Sequence, residues 1–146
     1  MPAPMMDTYA PPDLVFDHGK GARLFTGDGE GYLDFISGIA VNCLGHAHPK
    51  AVAALTEQAG KLWHLSNMFK VPAGIELADK LTKATFADRV FFTNSGAEAM
   101  ECALKTARRY HFVNGNPQRY RIITFTGAFH GRTYGAIDAG GNPKYL

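Results

Sequence analysis

Arg89-Val90-Phe91-Phe92-Thr93-Asn94-Ser95-Gly96-Ala97-Glu98-Ala99-Met100 changes its period halfway along. Residues 89 to 93 are apolar, β-branched and aromatic, the composition of a buried strand. From Gly96 onward the spacing is helical, and Met100, Ala103, Leu104, Ala107 and Tyr110 form one apolar stripe. Glu101 and Lys105 on the other side are correctly ordered for an i,i+4 ion pair. Gly115-Asn116-Pro117 ends the helix. At the junction the first helical N-H groups lack intrahelical acceptors, and the helix dipole adds partial positive charge, so a phosphate fits there. A capping box explains the same residues: Ser95 bonds forward to the Glu98 amide while the Glu98 carboxylate reaches back. The residues alone leave both readings open, with the cap the plainer one.

Working outward, Arg121 to Phe125 reads as a second buried strand, followed by the loop Thr126-Gly127-Ala128-Phe129-His130-Gly131-Arg132-Thr133. That loop begins where open α/β sheets place ligands, at the carboxyl end of a strand. Phe129 can stack on a planar group and Arg132 can hold a carboxylate by two parallel bonds. Core packing and a solvated charge are the duller explanations. Upstream, Pro72 opens a helix with Ile75, Ala78 and Leu81 inward, and Pro49 opens another over about 49 to 62. Before these, Ala22 to Thr26 and Tyr32 to Phe35 flank Gly27-Asp28-Gly29-Glu30-Gly31 as a β-hairpin. The first 13 residues carry four prolines and read as an extended arm. Residues 72 to 125 thus alternate helix and strand, the signature of the α/β class, but two or three strands make an incomplete sheet. The expectation is an α/β domain cut partway through.

The 146 residues are 46% hydrophobic and 19% charged, with 15 Lys plus Arg against 13 Asp plus Glu. This is the composition of one soluble domain, and its near-neutral charge argues against nucleic acid or an anionic membrane as the main partner. Cys43 and Cys102 stand far apart in apolar surroundings, which argues against a disulfide framework and for a reducing cytoplasm. The opening Met1-Pro2-Ala3-Pro4-Met5-Met6 has no signal-peptide pattern, and no apolar run approaches the roughly 20 residues a bilayer needs. Gly45-His46-Ala47-His48-Pro49 offers an H-x-H pair, with His64 and His130 as further metal ligands for a hydrolase, but no carboxylate stands at a telling spacing, and no metal is expected. Neither a P-loop nor a G-x-S-x-G elbow is present.

Taken in order, Tyr32-Leu33-Asp34-Phe35, Gly38-Ile39-Ala40-Val41-Asn42, Leu44-Gly45-His46-Ala47-His48-Pro49, Asn94-Ser95-Gly96-Ala97-Glu98-Ala99 and Phe129-His130-Gly131-Arg132-Thr133 strongly resemble the class III pyridoxal-phosphate aminotransferases. The resemblance runs from about residue 15 to the end. It implies the start of the large cofactor-binding α/β domain of fold type I over 49-146. It also implies an arm and hairpin over 1-48 that pack on a small C-terminal domain. It implies pyridoxal 5'-phosphate as cofactor, its phosphate on the amides of Gly96 and Ala97 with the Ser95 hydroxyl nearby, and Phe129 on its pyridine ring. Arg132 matches the family's arginine for the carboxylate of an acetylated substrate, and Ser66-Asn67 resembles a segment near a subunit interface. The implied partners are an amino-acid donor and 2-oxoglutarate, in a cytoplasmic homodimer, with no nucleic acid or membrane.

Phe129 to Thr133 and Gly141 to Tyr145 lean toward the branch that uses N2-acetyl-L-ornithine in arginine biosynthesis. Succinylornithine, succinyldiaminopimelate, ornithine and 4-aminobutyrate remain alternative donors, and a non-catalytic anion-binding module is an alternative of another class. The family's cofactor-linking lysine, and the aspartate that pairs with the ring nitrogen, match no position in these residues and are expected downstream of residue 146. The chain therefore contains no catalytic residue and is expected to be inactive alone, with much of 1-48 lacking its proper support.

Overall fold

The computed structural model describes Met5, Met6 and residues 8–145. Of the expected N-terminal arm, residues 1 to 4 and 7 lie outside the described residues, and the described remainder holds no helix or strand before Phe16. The elements are β1 (Phe16–Lys20), β2 (Arg23–Thr26), β3 (Gly31–Leu33), α1 (Ser37–Ala40), α2 (Pro49–Ala59), α3 (Pro72–Ala84), α4 (Gly96–Val113) and α5 (Tyr134–Gly140). They fall into two compact units, Met1–Phe69 and Lys70–Leu146.

In the first unit β1, β2 and β3 form an antiparallel meander. The expected hairpin is its β2-β3 half, with Arg23 opposite Leu33, Leu24 opposite Tyr32 and Phe25 opposite Gly31. The second strand stops at Leu33 because Asp34 turns the chain: its carboxylate accepts the amides of Ile36 (3.0 Å) and Ser37 (2.8 Å). β1 adds a strand that the sequence did not announce, held by His18 stacked on Phe25 (4.9 Å between ring centroids) and Phe16 edge-on to Tyr32 (5.5 Å). α1 is a single left-handed turn. Ser37, Gly38, Ile39 and Ala40 have φ of 50, 63, 67 and 61°, a conformation that costs roughly 1–2 kcal/mol for each residue with a Cβ. α2 begins with Pro49 at its first position and ends at Ala59, three residues short of the expected limit, with Gly60 as its C-cap.

In the second unit α3 also opens on proline, and the Thr85 hydroxyl donates to the Leu81 carbonyl at its end (2.9 Å). The strands expected at 89–93 and 121–125 require a correction. Both run outside regular secondary structure, and among the described residues the only sheet is β1-β2-β3. A ladder needs a neighbouring strand in register, and these two segments do not hydrogen-bond to one another. Ile122, Ile123 and Phe125 line a groove of about 360 Å³ with the α4 stripe of Met100, Ala103, Leu104 and Ala107.

α5, also unannounced in the sequence, packs on α4 and carries the buried apolar side chains among the described residues, Ala136 and Ala139. It stops at Gly141, whose φ of +57° places it in the left-handed region and whose N-H donates to the Ile137 carbonyl. No described helix is long and apolar enough to cross a membrane.

Candidate functional site at the start of α4

Ser95 is extended (φ −152°, ψ 163°), so its side chain faces the first turn of α4 and its hydroxyl accepts the Glu98 amide at 3.2 Å. The Glu98 carboxylate reaches back past Ser95 to the Asn94 amide (2.6 Å). The Thr93 hydroxyl donates to the Ser95 carbonyl (3.1 Å), which also accepts the Ala99 amide (3.0 Å). The cap is therefore made, one residue displaced from the expected reciprocal pair. It uses the third amide of the helix and leaves the first two alone. Gly96 and Ala97 donate to no protein acceptor, and no atom outside the immediate chain lies within 4 Å of where a Gly96 Cβ would stand. The cap therefore leaves the first two helical donors available to an acceptor from outside the helix.

The second group of expected residues lies in the loop before α5. Phe129 is 65% exposed, and the Arg132 guanidinium sits over its ring, 5.3 Å from the centroid. Gly131 joins this pair to the start of α4. Its φ is +124°, and a Cβ there would fall 2.5 Å from the Ala97 Cβ, so only a glycine lets the loop lie against the helix. Ser95, Gly96 and Ala97 thus share one helix start, Phe129 and Arg132 share one loop, and Gly131 holds loop and helix together.

One expected pairing is not formed. Glu101 does not bridge to Lys105; its carboxylate accepts the Thr133 hydroxyl (2.6 Å) and the Gly135 amide (3.1 Å) instead. Residue spacing on one helix gave no sign of this contact. The only signal in the sequence was the pair of glycines, Gly131 and Gly135, flanking Arg132-Thr133-Tyr134.

Of the histidines noted as weak metal candidates, His46 is engaged otherwise. In the first unit Asn42 donates to His46 Nδ1 (3.2 Å), which places the ring proton on Nε2 toward the Asp34 carboxylate at 2.7 Å. His48 Nδ1 is buried without a partner, and among the described residues no three His, Cys, Asp or Glu side chains converge as a metal site. Ser66 adopts φ +62° in the Ser66-Asn67 segment. Cys43 and Cys102 are free thiols.

The arrangement at α4 suits a ligand that pairs an anion with a planar ring. Residues 5–146 match the family model for class-III aminotransferases. The chain belongs to the class-III aminotransferase family. An acetylornithine aminotransferase from Mesorhizobium japonicum is 64% identical over 142 residues, which is 97% of this chain and 36% of that protein. This class-III chain thus spans about 36% of the length of such curated relatives.

Among solved structures it resembles the N-acetylornithine aminotransferase of Stenotrophomonas maltophilia, with a TM-score of 0.76 at 47% identity over 83% of this chain and 34% of that one. It also resembles an amine transaminase from an uncultivated Pseudomonas species in its PLP-bound form, with a TM-score of 0.84 at 32% identity over 98% of this chain and 34% of that one. The α/β class-III fold expected from the sequence therefore stands, although these residues close no α/β sheet among themselves.

Proposed function

We propose that the start of α4 and the loop before α5 form the phosphate- and ring-binding part of a pyridoxal-phosphate site. Its task in the whole protein is moving the side-chain amino group of N2-acetyl-L-ornithine to 2-oxoglutarate. One observation carries this reading: two unpartnered amides, Gly96 and Ala97, open an otherwise capped helix, and Ala97 lies against Gly131 in the loop that carries Phe129 and Arg132. The amides donate to a phosphate where the helix dipole favours negative charge, with the Ser95 hydroxyl beside them. Phe129 gives an aromatic face to a heterocycle, and the Arg132 fork is suited to a substrate carboxylate. Pyridoxal phosphate, when bound, supplies the electron sink that amino transfer needs. No residue of this chain is assigned the proton-transfer role. The same reading places the whole protein in arginine biosynthesis, in keeping with the acetylornithine in the names of its relatives, and as a cytoplasmic homodimer, which the family resemblance alone implies.

Gly96→Pro tests the assignment. Proline is accepted at the first position of a helix, the extended Ser95 suits the residue before it, and the substitution removes one donor while the helix persists. Titration of the labelled chain, followed at the Ala97 and Glu98 amides, should show pyridoxal phosphate binding and inorganic phosphate competing. Affinity for both should fall about tenfold in the variant, the weight of one charge-assisted hydrogen bond. No binding of pyridoxal phosphate, or equal affinity in G96P, overturns the reading. Binding of inorganic phosphate alone assigns the non-catalytic anion module instead.

A further inference from the structure

We infer that Glu101 is a positioning residue for Arg132, acting through a clasp between α4 and the loop that carries it. Ala97 and Glu101 stand one turn apart on the same face of α4. Ala97 receives Gly131, where a Cβ would fall 2.5 Å from the alanine Cβ. Glu101 receives Thr133, whose hydroxyl donates to its Oε1 at 2.6 Å. These two contacts hold the residues immediately before and after Arg132, so the backbone from which the guanidinium extends is fixed on both sides.

The same Oε1 accepts the Gly135 amide at 3.1 Å, one of the otherwise unpaired donors at the start of α5. Thr133 precedes that helix but makes no cap with its own side chain, so the carboxylate from α4 does the capping. Gly135 fits the clasp for a steric reason: a Cβ there would lie 2.8 Å and 2.9 Å from the two Glu101 oxygens. With the loop so held, Arg132 rests over the Phe129 ring. Loss of the carboxylate frees Thr133, unpairs the Gly135 amide and lets Arg132 leave its place over the Phe129 ring.

The consequence for a ligand rests on the aminotransferase reading of Arg132 and Phe129; the clasp itself does not. The test compares the 146-residue chain with E101A, E101Q and T133V. One readout is the upfield ring-current shift of the Arg132 side-chain protons over Phe129, and the other is affinity for pyridoxal phosphate and for inorganic phosphate. E101A and T133V should abolish the shift, whereas E101Q, which retains an oxygen acceptor, should keep it. E101A should weaken pyridoxal phosphate about tenfold, the loss expected for a hydrogen-bonded charge, and leave inorganic phosphate within about twofold. A shift that persists in both E101A and T133V overturns the clasp. An equal loss for the two ligands also overturns it, because the start of α4 would then have collapsed rather than the loop moved. If the unmodified chain binds no pyridoxal phosphate, the cofactor reading fails, and the Arg132 shift alone decides the role of Glu101.

Discussion

Asp34 shows how much one side chain can organise. Its side chain is only 8% exposed, and it accepts the amides of Ser37 and Ile36 and the His46 ring, which ties the entry to the left-handed turn α1 to the loop that carries His46. The Ser37 amide, then His46, hold its carboxyl below the ordinary aspartate range. Because the folded value lies below the unfolded one, the stabilisation is complete above about pH 4. It is lost as pH falls through the folded value. Amide hydrogen exchange at Ile36 and Ser37 should therefore accelerate beyond its intrinsic pH dependence below about pH 4. In D34N these amides should be weakly protected throughout, with no such step. A step of the same size in D34N would show that another group titrates. The role was hidden in the sequence, where Asp34 sits in a strand-like run and His46 reads as a metal candidate. The partners are 12 residues apart, and only the fold of the intervening loop brings them together.

Elements differ in how openly the sequence declares them. α2, α3 and α4 were legible because apolar spacing and a proline or serine at the start mark a helix by its own residues. α5 was not. Tyr134-Gly135-Ala136-Ile137-Asp138-Ala139-Gly140 is short and has two glycines, so its own propensity is poor and its support comes from Glu101 and from burial of Ala136 and Ala139. The extended runs at 89–93 and 121–125 were read correctly as apolar but wrongly as paired strands, since pairing is a property of the neighbour. The proposed site divides in the same way: Ser95, Gly96, Ala97, Phe129 and Arg132 come from the family motif, whereas the Glu101–Thr133 bond joins residues 32 apart and leaves no mark in the sequence.

Glycines test the same distinction at the scale of elements. Gly74 lies in the first turn of α3 with nothing within 4 Å of a Cβ, so G74A should stabilise that helix by about 0.5–1 kcal/mol. Gly45 has φ +77° and a Cβ there would fall 2.8 Å from the Gly21 carbonyl oxygen, so G45A should break the paired Gly21-His46 bonds of 2.8 and 2.9 Å. Exchange protection should rise several-fold in α3 for the first variant. It should collapse at Gly21 and His46 for the second, and protection there equal to the parent chain would refute the close approach.

Among the described residues of each unit, apolar surface is abundant and few apolar side chains are buried. Phe35 and Trp63 in the first unit are 92% and 86% exposed, and Phe86, Ile123 and Phe125 in the second are 102%, 92% and 81% exposed. Among the described residues the buried apolar side chains, Ala136 and Ala139, are of the smallest kind. A large apolar side chain left in water forgoes about 1.5–3 kcal/mol, and a domain's entire stability is only about 5–15 kcal/mol. A handful of such exposures therefore outweighs the margin that holds most domains folded. Local contacts of the kind made by Asp34 or Glu101 can persist under those conditions, but a single cooperative transition cannot rest on them. The 146-residue chain should consequently bind an environment-sensitive hydrophobic dye strongly at neutral pH, and calorimetry should show a broad, weak endotherm. A sharp transition with an enthalpy near 100 kcal/mol, about what 0.7 kcal/mol per residue implies for a chain of this length, would mean that these side chains are buried against something. Repeating the measurement over a range of protein concentrations would identify a second copy as that cover, because its transition temperature would then rise with concentration.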